Sequence, residues 1–160
     1  MLIRNVLRPF SPERLAVIVA GLGVLLAGCV TESSLNEVRV VGIDYAYQAP
    51  DTLPPGPTAI AFENRGKVNH EMILIQLKEG VTLWDVIEGV QGGADPDEFT
   101  EGGPGILMAG PGETAVSRLL VDLVPGRTYA LVCNFRDSPE ARSHTELGMV
   151  TAIWVTDTRD

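Results

Sequence analysis

A succession of short β-branched and aromatic runs, each closed by a glycine, proline or asparagine turn, narrows the fold most. Val38, Val40, Ile43, Tyr45 and Tyr47 mark a strand with an irregularity near Val41-Gly42. Residues 49–57 hold four prolines and a glycine and read as a loop. Residues 58–64 alternate around Ile60 and Phe62, residues 64–67 turn, and residues 72–77 form the next strand. Residues 114–122, 128–135 and 149–156 complete the set, with Pro125-Gly126 turning between the first two. Strands this short, at this spacing, predict a β-sandwich.

One helix interrupts the pattern. Thr82 to Asp85 has the form Thr-x-x-Asp, close to a capping box, and Leu83, Trp84, Val86, Ile87 and Val90 follow at helical spacing. Gly92-Gly93 ends it. Residues 94–112 are acidic and glycine-rich around Ile106-Leu107-Met108, and read as a long excursion on the sandwich edge. Trp84 and Trp154 are expected in the core.

The start of the chain reads as an export signal. Arg4, Arg8 and Arg14 precede an apolar run of twelve residues, 15–26, which is short for a membrane span. The run ends in Leu26-Ala27-Gly28-Cys29, which resembles the bacterial lipobox. The expected organisation is a signal peptide over 1–28, a tether over 29–36 and one domain over 37–160. The resemblance implies acylation (palmitate among the chains) at Cys29. Several chains hold firmly where a single one binds marginally. The folded part is then expected in the cell envelope, on the extracytoplasmic side, periplasmic or at the cell surface. Val30 after Cys29 favours the outer membrane by the same resemblance.

Removing Arg4, Arg8, Arg14 and Glu13 with the leader takes the net charge from −9 to −11. That charge argues against nucleic acid and anionic lipid as direct partners and allows a basic protein partner. With Cys29 acylated, Cys133 has no cysteine left to pair with, so in an oxidising compartment it must be buried or metal-bound.

The chemistry concentrates around Cys133. The chain has two histidines, His70 and His144, and both fall near strand ends together with Cys133 and Met149. Each has an ordinary reading alone: a surface histidine, an inert buried thiol, a core methionine. Together, a thiolate, two imidazoles and a thioether are the ligands of a blue-copper site. Other chemistries lack their parts. No G-x-S-x-G is present, and Gly102-Gly103-Pro104-Gly105 has no following Lys-Ser or Lys-Thr. Asp95, Asp97 and Glu98 lack the full calcium-loop pattern.

A family resemblance rests on several segments in order. Residues 62–70, Phe-Glu-Asn-Arg-Gly-Lys-Val-Asn-His, are similar to the cupredoxin segment that presents the first histidine after a strand and a glycine turn. Pro111-Gly112-Glu113-Thr114 resembles the family's strand-opening turn. Pro125-Gly126-Arg127-Thr128-Tyr129 with Cys133 resembles the strand that delivers the cysteine, and Tyr-x-x-x-Cys is the plastocyanin spacing. Four residues separate His144 from Met149, as in several blue-copper families. The resemblance implies a Greek-key β-sandwich of the cupredoxin type and one type 1 copper. His70, Cys133 and His144 would be the trigonal ligands and Met149 the weak axial one. Asn64 would brace the ligand loops from the second layer, and Asn69 is the alternative. One departure stands out: ten residues, 134–143, separate Cys133 from His144, more than plastocyanins and azurins have.

The function expected is electron transfer by a membrane-tethered copper protein, not an enzyme. Envelope redox proteins are its expected partners, meeting it near an exposed His144, and it is expected to be a monomer. A copper carrier and a metal-free interaction domain are the alternatives.

Overall fold

The computed structural model describes residues 35–158. The expected signal peptide, the acylated Cys29 and all but the end of the tether lie outside them.

Two mixed sheets form the sandwich. The first has four strands in the order β2-β1-β4-β7: β1 (Asn36–Ile43), β2 (Ala46–Gln48), β4 (Gly56–Asn64) and β7 (Leu119–Leu123). The second has five in the order β3-β9-β8-β5-β6: β3 (Thr52–Leu53), β5 (His70–Gln76), β6 (Gly105–Ala109), β8 (Thr128–Val132) and β9 (Val150–Val155). The all-β sandwich with one short helix, α1 (Leu83–Gln91), is the fold expected from the sequence.

Period-two alternation builds the core. Val38 and Val40 of β1 and Ile60 and Phe62 of β4 point inward. They meet Met72 and Leu74 of β5, Tyr129 and Leu131 of β8, and Ile153 and Val155 of β9. Each such side chain contributes about 1.5–3 kcal/mol by leaving water. The buried Tyr129 keeps its hydroxyl bonded, donating to Gln76 Oε1 at 3.0 Å and accepting from the Val124 amide at 3.2 Å.

β8 is buried on both faces. Ala130 and Val132, on its outer side, lie in a second cluster with Leu77, against which Leu83 and Val86 of α1 pack. Thr82 caps that helix: its hydroxyl accepts from the Asp85 amide, and Asp85 accepts from the Thr82 amide.

Four local expectations need correction. The irregularity near Val41-Gly42 is a hairpin: the chain turns at Asp44-Tyr45, and Val41 pairs with Gln48. The excursion over 94–112 contains β6, whose Leu107 is buried and pairs with Met72 across the sheet. Its outward residues, Ile106 and Met108, are apolar like the inward Leu107, so no apolar–polar alternation marked the strand in this glycine-rich stretch. The tryptophans are not core residues. Trp84 is 68% exposed and Trp154 is 43% exposed. Trp84 sits one position from Leu83, about 100° around the helix from the packed stripe. Trp154 lies between inward Ile153 and Val155, so the pleat turns it outward.

The parallel pairing of β1 and β4 positions the site. It aligns Gly42 with Asn64, so the hairpin turn after β1 arrives beside the turn after β4. Both lie at the end of the sandwich where β5 begins and β8 stops. Among the described residues, no helix is long and apolar enough to cross a membrane.

Candidate metal centre

His70 opens β5, Cys133 follows the last residue of β8, and Met149 directly precedes β9. Ladder hydrogen bonds therefore hold three of the four expected ligands close to a sheet. His144 is held by its own loop. Its amide donates to Phe135 O at 2.8 Å, and its carbonyl accepts from the Met149 amide at 2.8 Å. Thr145 ties that loop to Cys133: its amide and hydroxyl both donate to Cys133 O, at 2.7 and 2.9 Å, and its hydroxyl accepts from the Cys133 amide at 3.2 Å.

Sequence positions 70, 133 and 144 converge. One ligand atom from each of His70, Cys133 and His144 lies within 4.8 Å of the others, and all three residues are fully buried. The two Nδ1 atoms are 3.0 Å apart, and His144 Nδ1 is 3.4 Å from Cys133 Sγ. Cys133 is a free thiol. Met149 is also fully buried; a Cβ on Gly42 would stand 3.1 Å from its Cε and 3.0 Å from Phe62 Cζ. The missing side chain at Gly42 thus makes room for Met149 at this end of the core.

The outer nitrogens of both rings face carboxylates. His70 Nε2 is 2.8 Å from Asp44 Oδ1, and His144 Nε2 is 3.1 Å from Asp137 Oδ1. An ionised carboxylate only accepts, so each Nε2 carries a hydrogen, and in the neutral ring each Nδ1 then presents a lone pair. Two lone pairs and a sulfur then face one another at hydrogen-bond distance. A single cation placed between them would satisfy all three. Two nitrogens each about 2.0 Å from one ion lie roughly 3.3 Å apart at a tetrahedral angle, close to the 3.0 Å between these two. The donor set and its geometry fit a metal.

Asp44 is anchored by the Lys67 amide, which donates to both its oxygens at 3.0 and 2.9 Å. Burial raises its pKa, but that amide and the His70 hydrogen bond outweigh it and hold the carboxyl below its usual range. Asp137 is anchored by the Tyr45 hydroxyl, which donates at 2.8 Å and, with His144, lowers the Asp137 pKa against some desolvation. The same bond raises the Tyr45 pKa. Burial pushes the Cys133 thiol up; the Glu71 and Phe135 amides work against it. The Glu71 amide reaches Sγ at 3.5 Å.

Asn64 is fully buried and spans two turns. Its Nδ2 donates to Val68 O at 2.8 Å and Ala109 O at 3.0 Å, and its Oδ1 accepts from the Gly66 amide at 2.8 Å. Asn69 is exposed. Of the two, Asn64 makes the bracing bonds.

The expectation of an exposed His144 is overturned. The ring is fully buried. The ten-residue segment before it folds back and sets Asp137 on Nε2, while the Tyr45 ring lies 4.7 Å from the imidazole and Phe135 flanks it at 6.0 Å. That segment is pinned internally. Ser143 donates its amide and hydroxyl to Glu146 Oε2 at 2.7 and 2.8 Å, and Arg136 pairs with Glu146 at 3.3 Å and with Ala141 O.

Asp44 and Tyr45 were not singled out by their sequence positions. Asp44 is 26 residues from His70 and Tyr45 is 92 from Asp137. Only the β1–β4 register and the closing of the long loop bring them in.

No family model matches the chain, and no curated protein matches it. Solved structures do. A dithionite-reduced auracyanin from the photosynthetic bacterium Roseiflexus castenholzii is 22% identical at a TM-score of 0.49, covering 78% of this chain and 98% of that one. Auracyanin B is 22% identical at a TM-score of 0.48, covering 78% and 89%. Auracyanin A, a "blue" copper protein of Chloroflexus aurantiacus, is 19% identical at a TM-score of 0.49, covering 77% and 100%.

Proposed function

We propose that this chain is a type 1 copper protein of the cupredoxin kind that relays electrons in the cell envelope, tethered to a membrane through Cys29. The convergence of two imidazole Nδ1 atoms on a buried thiol, with both Nε2 atoms satisfied by carboxylates, carries the reading. His70, Cys133 and His144 would hold the metal, and Met149 would complete the set. Copper bound there supplies a one-electron couple.

The protein's part is to keep the ligands still. His70 and Cys133 sit at the ends of paired strands, and His144 is fixed by Phe135 O, Asp137 and Tyr45. Ligands that cannot rearrange keep the cost of changing oxidation state low. Burial of all three excludes water from the centre. It also opposes the copper-delivery reading, which needs ready exchange with a partner. A redox partner approaching this end meets Tyr45 and the loop carrying Asp137, not a bare imidazole edge.

The test is to add Cu(II) to the full-length protein and record the visible spectrum, with Cys133→Ser alongside. An intense thiolate-to-copper band, absent in the variant, is the expected result. A folded protein that retains no copper and shows no band would sink the reading in favour of a metal-free sandwich.

A further inference from the structure

We infer that Asp137 and Asp44 are positioning residues that choose which nitrogen each histidine offers to the centre, with Tyr45 holding Asp137 in place. The inference rests on the metal reading above and adds what selects the ligating atom.

An imidazole has two nitrogens, and the partner of one decides the availability of the other. His70 and His144 face this choice together. If either ring carried its hydrogen on Nδ1, that hydrogen would occupy the gap that the ligand atoms share. Asp44 at 2.8 Å and Asp137 at 3.1 Å draw the hydrogen to Nε2 instead. Both carboxylates are themselves fixed, Asp44 by the Lys67 amide and Asp137 by the Tyr45 hydroxyl. The two devices have different origins. Asp44 belongs to the hairpin turn between β1 and β2, part of the sandwich body. Asp137 belongs to the long segment between Cys133 and His144. That segment therefore does more than connect two ligands. It reaches back over His144, supplies the acceptor for its outer nitrogen, and removes that edge from solvent. Tyr45 serves both ends: it follows Asp44 directly, and it packs its ring 4.7 Å from His144 while bonding Asp137. The inserted loop and the hairpin thus act as a single clamp.

The chain has only two histidines, so ¹⁵N-histidine labelling of the full-length, untagged protein reports two rings. In the metal-free wild type at alkaline pH, both Nε2 atoms should carry hydrogen. Asp137→Ala should leave His70 unchanged and let the His144 hydrogen distribute over both nitrogens. Asp137→Asn, which keeps an accepting oxygen, should restore the wild-type tautomer. Tyr45→Phe should shift His144 in the same direction as Asp137→Ala but less. Cu(II) affinity should fall about 10–100-fold in Asp137→Ala. If Asp137→Ala keeps both the Nε2–H tautomer and the wild-type affinity, the positioning role is overturned while copper binding stands. If the wild type binds no copper yet the tautomer shifts as expected, the positioning stands and the copper reading falls.

Discussion

Gly66 stands so close to His70 that a Cβ on it would lie 2.7 Å from the ring's Nε2, and 2.2 Å from the Asp44 oxygen bonded there. The glycine of the turn after β4 is therefore a space requirement of the Asp44–His70 contact. Gly66→Ala is expected to push Asp44 away from the ring and to cost about 1–3 kcal/mol by overpacking. Urea unfolding of the metal-free protein measures the loss. A wild-type midpoint would show that the turn adjusts freely.

Asn64 links the same turn to β6. Replacing it with alanine strands the carbonyls of Val68 and Ala109 and the amide of Gly66. Ala109 is buried while Val68 and Gly66 are half-buried, and a buried group left without a partner costs about 1–3 kcal/mol. Asn64→Ala should thus rank among the most destabilising substitutions at this end. Asn69→Ala, at an exposed position, should stay within about 0.5 kcal/mol of wild type. Equal effects from the two would contradict the bracing role of Asn64.

The Cys133 thiol gives the metal-free protein a distinctive alkaline limb. Burial raises its pKa above the ordinary 9.0, so the folded state keeps the proton to higher pH than the unfolded chain does. Between those two values the folded state binds more protons, and stability falls as pH rises. Stability from this source is intact below about pH 9 and declines above it. Cys133→Ala should flatten that decline. Urea midpoints of both proteins across this range give the comparison, and parallel curves would contradict it.

Copper should stabilise the fold through mass action. A metal that binds only the folded state contributes about 4 kcal/mol at a thousandfold excess over its dissociation constant. Adding a Cu(II) chelator should therefore lower the melting temperature of the loaded protein and leave that of Cys133→Ser unchanged. A melting temperature indifferent to the chelator would count against metal at this centre.

The cap on α1 provides a contrast. Thr82→Ala removes the capping box and should cost about 0.5–2 kcal/mol. The helix has no buried residue and packs on the outer side of the sheet, so the cost should be confined to its own opening. Hydrogen exchange of the α1 amides should quicken while Cu(II) affinity stays at the wild-type value.

The sequence by itself determined the strand-rich architecture, because period-two alternation between glycine and proline turns leaves a chain few options. It determined the capped helix, because Thr82 and Asp85 satisfy each other locally. It also singled out His70, Cys133, His144 and Met149, because the two histidines of the chain stand on either side of Cys133 and Met149 follows closely, a soft-and-imidazole set. It failed at β6, where glycine-rich neighbours diluted the pattern, and at both tryptophans, whose hydrophobicity suggested a core that the helix phase and the strand pleat deny them. Tertiary structure alone decided the surroundings of the ligands. The burial of His144, the pairing of Tyr45 with Asp137, and the contact of Asp44 with His70 join residues far apart in the chain. No local propensity encodes them. They follow from the register of β1 on β4 and from how the long segment after Cys133 closes, and both depend on the packed sandwich as a whole.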